Sequence, residues 1–168
     1  MRLNVDDTLL DAVMNGTIKG LEMTALKATP VGASRLARAS HEMSVIIGLA
    51  GKNNGSVAIN LSRRAMMMVA GGLLGEPQAD LNEDNLDAMM EVGNMVAGSI
   101  KEALMKSDFA VAEISLPSLV FGRDFSILWA RGITTASVEF ELDDMPVLHM
   151  NDRFFSTSIS LLRGSGRK

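Results

Sequence analysis

The first pattern along the chain is a helical one. In residues 6–26 apolar side chains recur every three or four positions, which predicts an amphipathic helix. These core candidates are Leu10, Val13, Met14, Ile18, Leu21 and Ala25. A second stripe of small residues, Ala12, Gly16 and Gly20, predicts that another backbone packs closely here. The alternative is a helix that is merely weakened by two glycines, at roughly 1 kcal/mol each.

The next stretch of the chain has strand character. The runs 28–50 and 56–61 are separated by a turn rich in Gly and Asn, which predicts an antiparallel hairpin. A helix is predicted over 63–74, because Ser62 is a good N-cap and Gly75 a good helix terminator.

A long helix and further strands complete the pattern. Asn82 and two acidic residues open a predicted helix that runs to about Lys106. Strands are predicted at 109–121, 125–130, 133–142 and 154–163. Runs of like elements indicate an α+β fold with an antiparallel or mixed sheet and helices packed on one side. We expect a single domain over residues 1–168, with a frayed tail at about 164–168.

Composition mainly excludes functions. The chain has 168 residues, a net charge of −4, no cysteine and only two histidines. It lacks the basic stripe of a nucleic-acid binder and the ligand spacing of a metal site. No apolar run is long enough to cross a membrane, and the first residues do not resemble a signal peptide. We therefore expect a cytoplasmic protein that binds neither nucleic acid nor membrane and holds no metal or cofactor.

The helix that begins at Asn82 carries two stripes when it is advanced by 100° per residue. The predicted core stripe contains Leu86, Met90, Gly93, Ala97, Ile100 and Leu104. The second stripe, roughly 120° away, contains Asp87, Glu91, Asn94, Gly98, Lys101 and Met105. Asn and especially Gly are poor residues for the middle of a helix, and such local departures often mark function. A Glu and an Asn on a helix are, however, also common on a plain solvated face.

The side chains of the second stripe suggest a contact with another protein. The carboxylate of Glu91 can hold a cation, and the carboxamide of Asn94 can orient a water because it both donates and accepts hydrogen bonds. Gly98 has no side chain, so another protein could approach the helix closely there.

The spacing of these residues resembles that of the CheX/CheC/FliY family of bacterial chemotaxis proteins. Asp87, Glu91 and Asn94 are followed, after twenty-two intervening residues, by Pro117. The segment from Val45 to Gly51 and the helix after it also resemble the family. The resemblance implies a CheC-like fold.

The resemblance also implies a mechanism. Family members dephosphorylate the response regulator CheY; Asn94 would orient the attacking water and Glu91 would pair with the active-site Lys of the regulator. Asp87, Gly98 and Pro117 would contact or shape the partner interface. The Mg²⁺ would belong to the partner receiver domain, and this chain would bind no cofactor.

The chain differs from family members with two active centres. Ala12 stands where a second Glu would precede Asn15, so one centre and a CheX-like homodimer are implied. Two alternatives stay open. The chain could be a non-catalytic receiver-binding or flagellar and chemotaxis adaptor module, or a structural α+β dimer whose polar stripe is only solvated.

Overall fold

The computed structural model describes residues 5–122 and 132–162, where helices and strands follow the predicted order closely. The helices are α1 (Asp7–Leu21), α2 (Arg63–Leu74) and α3 (Glu83–Leu104), with 3₁₀ turns at Glu22–Thr24 and Val147–Asp152. The strands are β1 (Ala28–Ser34), β2 (Met43–Ala50), β3 (Asn54–Leu61), β4 (Glu113–Ile114), β5 (Ser118–Phe121), β6 (Ile133–Leu142) and β7 (Phe154–Leu162). The predicted strand at 125–130 and the tail at 164–168 lie outside the described residues.

The described strands form one antiparallel sheet. Its order is β1-β6-β7-β3-β2, and the short strands β4 and β5 both pair with the remaining edge of β2. Alternate residues of the central strands are buried beneath the helices; Val45 and Ile47 of β2 are fully buried. α1 packs over β6 and β7, and α3 packs over β2. The α+β prediction, with helices on one side of the sheet, is confirmed.

Local turn chemistry fixes the predicted hairpin of β2 and β3. Leu49 pairs with Gly55 across it, and the turn passes through Gly51 at a φ of 139°, a conformation that favours glycine. The side-chain oxygen of Asn54 accepts a hydrogen bond from the Gly51 amide at 3.2 Å. A hairpin with this turn is what the Gly- and Asn-rich segment predicts.

The small-residue stripe of α1 packs against α3. A Cβ atom on Gly16 would lie 2.8 Å from the backbone nitrogen of Ile100, and one on Gly20 would lie 2.5 Å from Cα of Val96. Only glycine lets two helix backbones approach this closely. The prediction of a close neighbour for this stripe is therefore confirmed.

The predicted core stripes are partly wrong. Ile18 of α1 is 39% exposed, and Ala25 is exposed just beyond the helix. Leu86 and Met90 of α3 are only half-buried. The fully buried positions of α3 instead include Ala88, Met89, Val92 and Val96. The reason is that each helix is buried by its helical neighbours as well as by the sheet, so the buried arc is broader and turned toward those neighbours. None of the helices in the described residues is long and apolar enough to span a bilayer.

Candidate functional site

The start of α3 is held firmly, and this fixes the orientation of the helix that carries the candidate site. The side chain of Asn82 accepts from the Asn85 amide at 2.9 Å, and the side chain of Asn85 accepts from the Asn82 amide at 3.1 Å. Asn85 also donates to the Asp80 carbonyl at 2.7 Å. Asn85 is fully buried with these partners in place. Reciprocal capping of this kind satisfies amide groups that a helix start leaves unpaired.

Packing beneath α3 decides which of its faces is presented outward. A Cβ atom on Gly93 would lie 2.7 Å from Cγ1 of Val45, so α3 sits close on β2 at this point. With Gly93 facing the sheet, Asp87 and Glu91 are exposed, and Asn94 and Gly98 are partly exposed. The predicted second stripe is therefore on the surface, with its side chains open to another molecule.

Three polar side chains of the candidate site have no partner in the part of the chain that the structure describes. Within residues 5–122 and 132–162, the side chains of Asp87, Glu91 and Asn94 make no hydrogen bond or ion pair. Their polar atoms are therefore available to water or to another protein. A carboxylate and a carboxamide one turn apart can grip a cation and orient a small polar molecule, but neither is a strong nucleophile.

A groove between the end of α2 and the beginning of α3 runs beside this site. It has a volume of about 520 Å³, and Asp87 and Glu91 form part of its wall. Its other lining residues are Leu73, Leu74, Glu76, Gln78, Asn82, Asp84 and Ala88. The groove combines apolar groups with several carboxylates. It went unpredicted because it exists only where α2 meets α3, and no local pattern in the sequence indicates that meeting.

Asn94, Gly98 and Pro117 lie outside this groove. Pro117 was expected in a strand but lies between β4 and β5, directly before Ser118. The Ser115 amide donates to the Gly48 carbonyl at 2.9 Å, and the Ser115 hydroxyl accepts from the Gly48 amide at 2.8 Å and donates to the Leu116 carbonyl at 2.7 Å. A proline is tolerated at the start of an edge strand because no ladder hydrogen bond needs its nitrogen.

A charge pair joins α1 to α3 one turn beyond Gly98, toward the C-terminal end of α3. Nζ of Lys19 lies 2.7 Å from Oε2 of Glu102. The hydrogen bond to Glu102 raises the pKa of Lys19, and the same hydrogen bond lowers the pKa of Glu102. Both side chains are exposed. The pair contributes to the α1–α3 contact, one turn after Gly98.

The corresponding part of α1 offers no second site. Asn15 is exposed, but Ala12 is only 3% exposed and lies in the core between the helices. Among the described residues, no group of three or more His, Cys, Asp or Glu side chains is placed to hold a metal ion.

One protein family has a sequence model that matches residues 43–141 of the chain; it is described as “Chemotaxis phosphatase CheX”. The match includes Asp87, Glu91, Asn94, Gly98 and Pro117. No curated protein matches the sequence.

Among solved structures, the chain is similar to CheX from Vibrio vulnificus, with 22% identity, a TM-score of 0.73 and coverage of 91% of this chain and 98% of that one. CheX from Desulfovibrio desulfuricans gives 20% identity, a TM-score of 0.73 and coverage of 91% and 98%. A chain of the CheX–CheY–BeF3–Mg²⁺ complex from Borrelia burgdorferi gives 23% identity, a TM-score of 0.67 and coverage of 95% and 99%. At these identities the likeness shows a shared fold over nearly the whole length of each chain.

Proposed function

Because the chain belongs to the CheX family of chemotaxis phosphatases, we propose that it removes the phosphoryl group from an aspartyl-phosphorylated, CheY-like response regulator. The observation that carries the proposal is the surface of α3: Glu91 and Asn94 stand one turn apart, accessible and without internal partners in the described chain. A CheX–CheY complex exists for a structurally similar protein, which supports a receiver domain as the partner.

Asn94 is assigned the positioning of the attacking water. Its carboxamide accepts from one water hydrogen and donates elsewhere, which aims the lone pair of the water at phosphorus. The water forms the new P–O bond, the bond from phosphorus to the aspartyl oxygen breaks, and the products are inorganic phosphate and a free carboxylate. Phosphoryl transfer needs mainly this kind of positioning and charge stabilisation, so a neutral carboxamide suffices.

Glu91 is assigned the grip on the partner. Its carboxylate pairs with the active-site Lys of the receiver and so sets the register in which Asn94 enters the phosphorylated pocket. Asp87 stands one turn earlier on the same wall of the groove and extends this contact. Pro117 shapes the edge strand that pairs with β2 beneath α3. The Mg²⁺ of the reaction is held by the receiver, and this chain supplies no ligand to it.

The cellular setting is part of the proposal. A receiver domain is a cytoplasmic target, so the protein acts in the cytoplasm. Each chain has one centre, since α1 lacks a second Glu-x-x-Asn pair, and the resemblance to CheX implies that two chains form a homodimer. Light scattering measures the oligomeric state directly. A monomer at the concentration of the activity assay would contradict the homodimer and leave the proposed activity untouched.

The decisive experiment compares two asparagines. Asn94→Ala is expected to slow the accelerated decay of the phosphorylated receiver by about 100-fold or more, as misplacing a reacting group does. Asn15→Ala, at an exposed position of α1, is the matched control and should keep the full rate. Decay of ³²P-labelled receiver measures both. Equal rates for wild type and Asn94→Ala would refute the assigned role.

Glu91 is tested by binding rather than by rate. Glu91→Lys should weaken binding to a receiver loaded with Mg²⁺ and beryllofluoride, because like charges then face each other. Glu83→Ala, an exposed position of the first turn that lies outside the groove, serves as the control. Unchanged affinity of the Glu91 variant would exclude this contact.

The alternative is a non-catalytic adaptor that docks on a receiver or flagellar component through the same face of α3. The adaptor is motivated by the number of Glu-x-x-Asn pairs. This chain has one pair, whereas the family members with two centres have two. The protein could bind a receiver and yet accelerate the dephosphorylation of no receiver from the same genome. That result would establish the adaptor and reject the phosphatase.

A further inference from the structure

α3 contains two glycines, and the packing of the described chain explains only one of them. Gly93 faces Val45 at a distance that leaves no room for a Cβ atom. A Cβ atom on Gly98 would meet no heavy atom of the described residues within 4 Å, outside the helix's own backbone. Gly98 also lies inside α3 with no left-handed backbone that would favour glycine. The part of the chain that the structure describes therefore gives no packing or backbone reason for a glycine at this position.

A glycine without such a reason is costly. Apart from proline, glycine is the least favourable residue in a helix interior, and alanine fits the same backbone better. The cost of Gly16 and Gly20 to the stability of α1 is offset by the close packing of α3 that these glycines permit. Gly98 brings no comparable contact within the described chain, which points to a molecule outside the domain as the source of its benefit.

The position of Gly98 connects it with the candidate site. It lies one turn after Asn94 and two turns after Glu91, about 6 Å along the helix axis from Asn94. Helical side chains lean toward the N-terminus and cover the surface of the preceding turn. A side chain on residue 98 would therefore project over the approach to Asn94. Its absence leaves the α3 backbone bare on that side.

We infer that Gly98 is a clearance position, which lets a loop of the receiver lie against the backbone of α3 while Asn94 enters the phosphorylated pocket. This inference rests on the proposed function and deepens it: the occupant is the receiver segment next to the phosphorylated aspartate. Gly98 acts through the access it gives to Asn94, so it is a positioning residue and takes no part in the chemistry.

The test adds side chains of increasing size and follows two readouts of opposite sign. Gly98→Leu should raise the dissociation constant for a CheY-type receiver loaded with Mg²⁺ and beryllofluoride by about tenfold or more, as a steric block at an interface does. Gly98→Ala should give a smaller loss. Gly98→Ala should at the same time raise the thermal midpoint by about 2–4 °C, because alanine favours the helix. If Gly98 had only a structural role, the Gly98→Ala substitution would instead lower both the thermal midpoint and the affinity for the receiver.

Ala103→Leu is the matched control for an added leucine on α3. Ala103 is exposed and lies about 140° around the helix from Gly98, so its substitution should leave the dissociation constant unchanged. Isothermal titration with a panel of receivers from the same genome measures every variant. Phosphoryl decay, assayed in parallel, should slow in Gly98→Leu mainly through a higher KM.

The failures can be told apart. Equal affinity of wild type and Gly98→Leu, or a lower thermal midpoint for Gly98→Ala, would overturn the clearance role and leave the proposed function standing. A wild-type protein that neither binds nor dephosphorylates any receiver of the panel would remove both at once.

Discussion

α1 and α3 pack against each other, and they bury the same pattern of positions. A shift of 76 residues, which takes Leu9 to Asn85, places every buried residue of α1 on a buried residue of α3. In this register Gly20 is equivalent to Val96, and these two residues also touch where the helices cross. Equivalent residues that meet at a crossing are what a local two-fold relation produces.

The outer faces of the two helices differ. The residues that correspond to Asp87, Glu91, Asn94 and Gly98 of α3 are all exposed; Asp11, Asn15 and Ile18 lie in α1, and Glu22 lies directly after it. Asn15 therefore stands at the place of Glu91, and Ile18 at the place of Asn94. When Asn15 is instead aligned with Asn94, Ala12 stands at the place of Glu91 and is buried. Asp11 and Asn15 are an exposed carboxylate and carboxamide four residues apart, but neither register gives α1 such a pair at the Glu-x-x-Asn spacing of Glu91 and Asn94.

This difference separates two kinds of constraint. The inner faces agree because each helix must fit the other and the sheet, and small or apolar residues meet that need. The outer faces have no such obligation within the described chain, so what they carry is free to respond to a partner. The unpaired Glu91 and Asn94 and the unexplained Gly98 all lie on the outer face of one helix.

The largest effect is expected from writing the Glu-x-x-Asn spacing into α1. Ala12→Glu places a carboxylate three residues before Asn15, but at a position that is 3% exposed. Burial of an unpaired charge should lower the free energy of unfolding by about 3–5 kcal/mol. We also expect no phosphatase activity from this helix. Urea unfolding measures the first effect, and the assay in an Asn94→Ala background measures the second.

Asn15→Glu is the control for a new carboxylate on α1. Asn15 is exposed, so its substitution should change the free energy of unfolding by no more than about 0.5 kcal/mol. Restored dephosphorylation in the Ala12→Glu, Asn94→Ala double variant would show that the two helices are functionally equivalent after all, and would end the comparison.

An intermediate effect is expected at the crossing of the two helices. A Cβ atom on Gly20 would lie 2.5 Å from Cα of Val96, a backbone atom that cannot move aside alone. Gly20→Ala should therefore cost about 1–2 kcal/mol of unfolding free energy, even after the higher helix propensity of alanine. Urea unfolding would show the opposite sign from Gly98→Ala. A stability equal to or above wild type would mean that α1 and α3 are less tightly joined than their glycines indicate.

Local chemistry made much of the fold predictable. The bounds of α2 follow from Ser62, whose side chain accepts from the Ala65 amide, and from Gly75, which has a φ of 79°. The face of α3 that carries Glu91 and Asn94 also follows from sequence, because the 3.6-residue period separates it from the apolar stripe. These features depend on residues that are neighbours in the chain.

What could not be predicted depends on contacts between distant segments. Ile18 is apolar and helical in spacing, yet it is exposed because the small-residue stripe turns α1 toward α3. The groove beside Glu91 needs the ends of two helices to be brought together. The break at Pro117 depends on the pairing of both β4 and β5 with β2. Periodicity alone contains none of this information.

The smallest effect is expected from the exposed charge pair between the helices. Lys19→Gln removes the partner that lowers the pKa of Glu102 below its ordinary value of 4.5. It also removes the ammonium whose pKa the Glu102 carboxylate raises above 10.5. At pH 7 and low salt, the urea midpoint of Lys19→Gln should be slightly lower than that of wild type. Exposed pairs contribute little because water and salt screen them.

The pH dependence of the urea midpoint tests whether the charges of Lys19 and Glu102 cause the difference. The contribution of Glu102 is present above its unfolded pKa and is lost as the pH falls through the lower pKa of the folded state. The contribution of Lys19 is present below its unfolded pKa and is lost as the pH rises through the higher folded pKa. The difference between the two urea midpoints should therefore be fully present between pH 4.5 and 10.5, should fade as the pH falls below 4.5 or rises above 10.5, and should vanish in about 1 M salt. A difference that survives high salt would mean that the aliphatic stem of Lys19, and not its charge, stabilises the contact between α1 and α3.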